Sequence, residues 1–272
     1  MSLQDRAGRV LQLLRQRGYL SVGDLSQELG VSQMTIRRDL KDLEQAGLIN
    51  RWHGGANLKP ERGDSEWPVV LRETENMEAK RAIGKVAAGL VRDGDVVILD
   101  AGTTTLHVAY NLAQNRLTVA SNFLPILNFL AGRPASISLI GIGGSLYADN
   151  QCFVGPLAVN TIRSINANVA ILATSCLSLG KGMTNRNLAE AEIKRAMLEA
   201  ADRAILVMDS SKMNRTTLAS VGGIEMLDTL VTDDCLAAED QIAIEARGVK
   251  VLIVACYKAP ELIPELTKER GT

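Results

Sequence analysis

Seven short aliphatic runs, separated by stretches of helical periodicity, restrict the fold of this chain more than any other feature. They are Val96 to Leu99, Leu117 to Ala120, Ile137 to Ile140, Val169 to Ala173, Ala204 to Met208, Thr229 to Val231 and Val249 to Val254. A strand with one face in water alternates apolar and polar residues, whereas a continuous run suits a strand buried on both faces. Helical patterns from about Asn76 to Val91, Leu106 to Ala113, Pro125 to Leu130 and Ala189 to Ala201 can supply that cover. Strands alternating with helices predict an α/β domain with a mainly parallel sheet.

The chain has 272 residues, more than one typical domain, and its beginning follows a different pattern. Val10, Leu11, Leu13 and Leu14 give a first helix an apolar face. Ser21 with Asp24 marks the N-cap and first turn of a second helix, which runs through Leu29 and stops at Gly30. Ser32 caps a third helix, Gly47 ends it, and Leu48 to Ala56 alternates enough for two short strands around a glycine tip. Together these predict a winged helix-turn-helix, with Trp52 packed beneath the wing. Leu58 to Trp67 is polar and contains Pro60 and Gly63, the composition of a linker. The expected organisation is a winged helix-turn-helix DNA-binding domain over 1–58, a linker over 59–75 and an α/β domain over 76–272, to which the family resemblance described below assigns effector binding and oligomerisation.

A formal net charge of −1 argues by itself against a nucleic-acid partner. The charge is unevenly placed, however. Residues 1–59 hold nine Lys/Arg against six Asp/Glu, net +3, and the remainder is net −4. Within the third helix Ile36, Leu40 and Leu43 form an apolar stripe, leaving Arg37, Arg38 and Lys41 to face elsewhere. Ser32, Gln33 and Thr35 lie at the start of that helix, the end that enters the major groove in such motifs. Gln can bond adenine bidentately, Thr or the neighbouring Met34 can touch a thymine methyl, and Arg can read guanine or clamp a phosphate. At the wing, Arg51 adds charge, and His53 and Gly54 let a small backbone approach the sugar-phosphate chain. A plain turn is the competing reading for His53, and a solvated amphipathic helix for the Arg pair.

A second constellation follows the first buried run. Asp100, Gly102, Thr103, Thr104 and Thr105 bring three hydroxyls and free N–H groups to a helix start, an anion cradle that needs no lysine. It is neither a Walker A loop nor a dinucleotide fingerprint, and ordinary helix capping is its bland alternative. Other strand ends offer Ser121 and Asn122, Gly143 and Gly144, and Asp209 with Lys212. In an open parallel sheet these ends lie along one crevice, where ligands bind. Lys212 can neutralise a phosphate there, with Asp209 on a sugar hydroxyl. Glu190 and Lys194, four apart at the start of a helix, are further candidates, or else a helix-surface ion pair.

Cys152, Cys176, Cys235 and Cys256 are far apart, and the chain has only two histidines, so no zinc site or disulfide framework is indicated. The thiols are expected to be free in the core, in a reducing compartment. We expect no metal and no cofactor. Neither a signal-peptide run nor an apolar stretch of membrane-span length is present, so the expected location is the cytoplasm, with no membrane partner.

The chain resembles the DeoR family of bacterial regulators of sugar metabolism. The resemblance is carried by Val31-Ser32, Thr35 to Leu40, Leu43-Glu44, Gly47 and His53 to Ala56. It continues through Lys80, Ile83, Asp95, Asp100 to Thr104, Ser121-Asn122, Gly143-Gly144 and Val154 to Pro156, then Glu190, Lys194 to Met197 and Asp209 to Lys212. It implies a winged-helix operator-binding domain joined to an effector domain similar to ribose-phosphate isomerase folds. It also implies a sugar-phosphate-like effector and a homo-oligomer, dimer or tetramer, that presents several recognition helices to double-stranded operator DNA. Asn168 stands where the family usually has Asp, which removes a carboxylate from any sugar contact there, and Cys176 where it often has Gly, which alters the pocket wall.

The expected function is therefore a ligand-responsive transcriptional regulator, a repressor of a carbohydrate-utilisation operon, and not an enzyme. The alternative is a sugar-phosphate isomerase with an accessory DNA-binding module. That chemistry needs a base near the substrate carbons, a part open to Glu190 but not to Asn168. A third reading makes the second domain an oligomerisation platform with a vestigial cleft.

Overall fold

In the computed structural model of the protein, residues 3–45, 47–52, 54–58, 69–73, 75–112, 116–133 and 136–256 are described. The N-terminal unit runs α1 (Leu3–Arg17), β1 (Tyr19–Ser21), α2 (Val22–Leu29), α3 (Gln33–Gln45), β2 (Ile49–Trp52) and β3 (Gly55–Leu58). Local chemistry sets the start of α2: the Asp24 N–H donates to Ser21 Oγ at 3.0 Å and the Ser21 N–H to Asp24 Oδ2 at 3.0 Å, a capping box. Gly30 ends the helix in the left-handed region at φ 64°. Val10, Leu14, Leu25, Ile36, Leu40 and Ile49 fill the core beneath. Arg6 of α1 forks onto the buried Asp39 of α3, Nε to Oδ2 at 2.5 Å and Nη2 to Oδ1 at 2.9 Å, fixing one helix against the other.

Two details differ from the sequence expectation. The wing has three antiparallel strands in the order β1-β3-β2, because Tyr19–Ser21 adds to its edge. Their approach is close enough that a Cβ on Gly55 would lie 2.3 Å from the Leu20 carbonyl oxygen, which explains the glycine. Trp52 is not beneath the wing but 63% exposed, its Nε1 donating to Asn57 Oδ1 at 3.1 Å. It stands three residues after the buried Ile49, and strand alternation puts it on the opposite face.

The second unit begins earlier than the composition suggests. Residues 59–68 of the expected linker lie outside the described residues, but its last part contains α4 (Val69–Arg72), whose Val69 is buried in the core of the α/β unit. Then follow α5 (Met77–Ala88), β4 (Val96–Leu99), α6 (Thr103–Leu112), β5 (Leu117–Ser121), α7 (Leu124–Ala131), β6 (Ile137–Gly141), β7 (Ser145–Tyr147), β8 (Cys152–Val154) and α8 (Pro156–Arg163). The chain continues through β9 (Val169–Leu172), β10 (Cys176–Ser178), β11 (Gly182–Asn185), α9 (Leu188–Glu199), β12 (Ala204–Val207), β13 (Ala219–Gly222), β14 (Thr229–Asp233), α10 (Ala238–Glu245) and β15 (Lys250–Val254).

All seven aliphatic runs form one parallel sheet in the order β15-β14-β12-β9-β4-β5-β6. Both faces of the inner strands are covered, as continuous runs require, while the edge strands β6 and β15 stay partly exposed. Val97, Leu99, Val119, Ile171 and Val207 pack with Ile83 of α5, Leu112 of α6 and Ile126 of α7. Their neighbours Ile98, Ala120, Leu172 and Leu206 pack on the other side with Ile162 of α8 and Met197 of α9. Two small antiparallel sheets, β7-β8 and β10-β11-β13, were not expected; their three- and four-residue strands carry no extended pattern. Among the described residues no helix is long and apolar enough to cross a membrane.

Candidate functional site

On the N-terminal unit, the apolar stripe of α3 is buried while Gln33, Met34, Arg37, Arg38 and Lys41 are exposed. Ser32 caps α3 by accepting the Thr35 N–H at 3.2 Å, and its hydroxyl lies 2.9 Å from that of Thr35, so both are already engaged locally. Arg37 Nη2 reaches Gln33 Oε1 at 3.4 Å, and Arg51 lies 3.5 Å from Glu44, linking the wing to the end of α3. Gly54 is exposed at the wing tip with φ 91°. His53 lies outside the described residues. The exposed cations thus share the side of the unit opposite its core.

On the α/β unit the strand order creates the crevice. From β4 the chain winds outward through β5 and β6, then returns to β9 on the other side of β4 and continues outward. The loops after β4 and β9 leave in opposite senses, opening a cleft at their C-terminal ends. Gly102, Thr103 and Thr104 line it from the start of α6, where the first helical N–H groups lack intrahelical acceptors. A Cβ on Gly102 would sit 2.8 Å from the Ala173 Cβ, so glycine lets the two loops meet. Lys212, Glu190 and Lys194 line it as well. Six of the thirteen effector residues expected from sequence therefore converge on one cavity.

The other seven do not line it. Asp100 lies beneath, 1% exposed, its Oδ2 accepting the Ala173 N–H at 2.9 Å and the Lys194 ammonium. Thr105 Oγ1 turns back to the Asp100 and Gly102 carbonyls, at 2.7 and 2.8 Å. Ser121 donates to the Leu99 carbonyl at 2.8 Å, and Asn122 Nδ2 to the Phe153 carbonyl at 2.9 Å, with Asn122 Oδ1 left buried and unpartnered. Gly143 and Gly144 shape a turn, a Cβ on Gly144 being 2.6 Å from the Val154 carbonyl oxygen. Asp209 accepts from Asn76 Nδ2 at 2.9 Å and from Ser211. Burial raises its pKa, but Lys212, Ser211 and Lys80 outweigh that and leave it below the ordinary carboxylate value.

The helix-surface pairing of Glu190 with Lys194 gives way: they are 7% and 4% exposed, and Lys194 reaches across to Asp100. Glu190 is gripped at both oxygens, Oε1 by Asn150 Nδ2 at 2.6 Å and Oε2 by Asn185 Nδ2 at 2.7 Å. Asn150, Asn185 and Arg72 all line the cavity and were missed, since no local motif marks a side chain that joins a cavity only when distant loops meet. Asp233 was missed too; its carboxylate accepts the Ser210 N–H at 2.8 Å and the Ser210 hydroxyl at 2.7 Å, pinning the loop that carries Lys212. Lys212 Nζ donates to the Thr174 carbonyl at 2.9 Å. Asn168 is at the opposite, N-terminal end of β9, exposed, with Oδ1 accepting the Val96 N–H at 2.9 Å, so it cannot meet a ligand in this crevice. Cys176 is buried in β10 and does not line the cavity; of the other thiols, Cys235 is exposed rather than in the core.

Three cations (Arg72, Lys194, Lys212) and one carboxylate (Glu190) line the cavity. A fourth cation, the buried Lys80, sits behind it with its Nζ on the Arg72 carbonyl. Burial first, then the charge of Lys212, pushes the Lys80 pKa down from 10.5 to about 8. Cations gathered at a helix N terminus, with hydroxyls, amides and a carboxylate beside them, suit a polyhydroxylated anion.

Two known domain families match the chain. Residues 6–62 match the DeoR-like helix-turn-helix domain, and residues 75–234 match the DeoR C terminal sensor domain. The transcriptional repressor AccR of Agrobacterium fabrum is 38% identical over 234 residues, 85% of this chain and 90% of that protein. The putative aga operon transcriptional repressor of Escherichia coli O157:H7 is 33% identical over 256 residues, 92% of this chain and 93% of that protein. Among solved structures, ribose 5-phosphate isomerase A of Methanocaldococcus jannaschii overlaps 51% of this chain and 55% of its own, with 13% identity and a TM-score of 0.38.

Proposed function

The chain belongs to the DeoR family of DNA-binding transcriptional regulators, and on that premise we propose that it represses a carbohydrate-utilisation operon and is released from operator DNA by a phosphorylated sugar or related anionic metabolite. One observation carries the effector reading: three cations and the α6 N terminus converge on one crevice at the switch point of the parallel sheet. Gly102, Thr103, Thr104 and Lys212 hold the anionic group, while Glu190, fixed by Asn150 and Asn185, accepts from sugar hydroxyls. Asp100 and Asp209 act beneath the surface by holding Lys194 and Lys212 in place.

On the DNA side, Gln33, Thr35, Arg37, Arg38 and Lys41 enter the major groove, Ser32 sets the start of the helix, and Arg51, His53 and Gly54 follow the backbone. A unit with net charge of only about +3 binds weakly alone, since affinity grows with the phosphates neutralised. A homo-oligomer in the cytoplasm supplies the second recognition helix. Exposed Leu157, Leu188 and Ile242 offer apolar surface for such assembly. Tenfold release requires only about 1.4 kcal/mol of differential effector binding between the two arrangements.

An isomerase carrying a DNA-binding module is not favoured, because the relatives that match most of the chain are transcriptional regulators. Gel-shift titration of the upstream DNA, with and without a panel of pentose and hexose phosphates, tests the proposal. Binding no tighter than to random DNA would sink it, and so would complexes indifferent to every sugar phosphate.

A further inference from the structure

One lining residue of the crevice comes from the connector between the two units. Arg72 lies on α4, the short helix that closes the connector between the two units, yet its side chain lines the cavity together with Thr104, Lys212 and Glu190. Its guanidinium donates from Nη2 to Asn150 Oδ1 at 2.9 Å, and the same Asn150 donates to Glu190 Oε1 at 2.6 Å. Its carbonyl accepts from the buried Lys80. The helix is fastened at its start as well, the Val69 N–H reaching the Asp149 carbonyl at 3.4 Å. The same helix α4 contacts α1 of the DNA-binding unit. A hydrogen-bonded chain therefore leads from the carboxylate in the crevice through Asn150 and Arg72 to a helix that touches the DNA-binding unit.

We infer that Arg72 is a direct contact for the anionic group of the effector, and that this contact transmits occupancy of the crevice to the DNA-binding unit. The inference rests on the effector reading above and adds to it a residue outside the recognised sensor segment, whose match begins at residue 75. A guanidinium is suited to the task because its planar fork is directional: an anion that engages it fixes the orientation of the arm that bears it, which a lysine ammonium does not. With an anion bound, Arg72 divides its donors between that anion and Asn150, and α4 takes the position this geometry demands. Without it, the Arg72 fork is oriented from the crevice side by Asn150 and no longer by an anion. A ligand shifts an equilibrium only by its differential contacts with the two states, and Arg72 is a lining residue whose own element touches α1.

The test separates binding from transmission. Operator affinity of the full chain is measured by fluorescence anisotropy at zero and at saturating concentration of the tightest-binding member of a pentose and hexose phosphate panel. The ratio of the two is the release factor. Each variant is compared with itself, so a general loss of DNA affinity cancels. Thr104→Val, on the sheet side of the crevice, should need more sugar phosphate but reach the wild-type release factor at saturation. Arg72→Gln should bind the sugar phosphate at least about tenfold more weakly and, even at saturation, release by less than about threefold. Arg72→Lys, with the charge but not the fork, should fall between. A wild-type release factor for Arg72→Gln at saturation would overturn the inference while leaving the effector site intact. A wild-type protein that binds no member of the panel would remove the effector site, and the inference with it.

Discussion

Replacing Lys194 by Met removes one partner from the most buried ion pair of the crevice. Lys194 and Asp100 expose only 4% and 1% of their surface, and the Asp100 oxygen that receives the ammonium also accepts the Ala173 N–H at 2.9 Å. After the change, a carboxylate sealed beneath the β4 and β9 loops keeps one neutral donor and loses its counter-charge. Truncating one side of such a pair costs about 3–5 kcal/mol, a large part of the roughly 5–15 kcal/mol by which a domain is stable. Urea unfolding followed by far-ultraviolet circular dichroism is the assay, because both tryptophans, Trp52 and Trp67, precede the α/β sheet. Adding Asp100→Asn discharges the orphan and keeps an oxygen for Ala173, so the double variant should recover at least about half of the loss. A Lys194→Met cost below about 1 kcal/mol would show that the pair is not compensating a buried charge. A double variant no more stable than the single would lead to the same conclusion.

Other consequences follow from the same geometry. Lys80 has a pKa near 8 in the fold against 10.5 for the free side chain, so between those pH values the unfolded chain binds more protons and stability rises with pH. Lys80→Met should accordingly stabilise the protein by about 1–3 kcal/mol at pH 7, with the gain gone above pH 10.5; a gain constant from pH 7 to 11 would refute the cause. Gly55→Ala, whose Cβ would lie 2.3 Å from the Leu20 carbonyl, should cost about 1–3 kcal/mol by parting β1 from β3 and should weaken operator binding, as melting and gel-shift measurements would show. Arg37→Ala and Arg38→Ala should each weaken operator binding by about 1–3 kcal/mol. A salt slope reduced by about 0.9 marks a phosphate contact and a reduced preference over random DNA marks a base contact. Neither change at either residue would take α3 out of the groove.

The two faces of α3 were legible in the sequence because a helix puts residues three and four apart on one side, and Ile36, Leu40 and Leu43 keep that spacing. The seven strands of the main sheet were legible for an equally local reason: aliphatic runs without polar alternation suit the five inner strands, covered on both faces, although β6 and β15 at the edges are partly exposed. Trp52 was misplaced because bulk suggested burial, whereas strand parity put it on the outer face. The small sheets β7-β8 and β10-β11-β13 and the helices α8 and α10 went unseen; α10 buries only Ile244 and so offers no stripe to detect.

For the crevice, the sequence by itself determined that polar loops follow apolar strands, and hence that Gly102, Thr103, Thr104 and Lys212 gather at one edge of a parallel sheet. Only the tertiary structure decided which of these loops face the cavity. Hydrogen-bond demand turned Thr105 and Ser121 back to carbonyls, while close backbone approach kept Gly144 as a turn. It also brought in Asn150, Asn185 and Arg72, from a hairpin loop, a minor strand and the connector helix. Periodicity along a chain records which faces must leave water. The partners of a buried carboxylate such as Glu190 are chosen by where folded loops meet, in the case of Asn150 from 40 positions away along the chain.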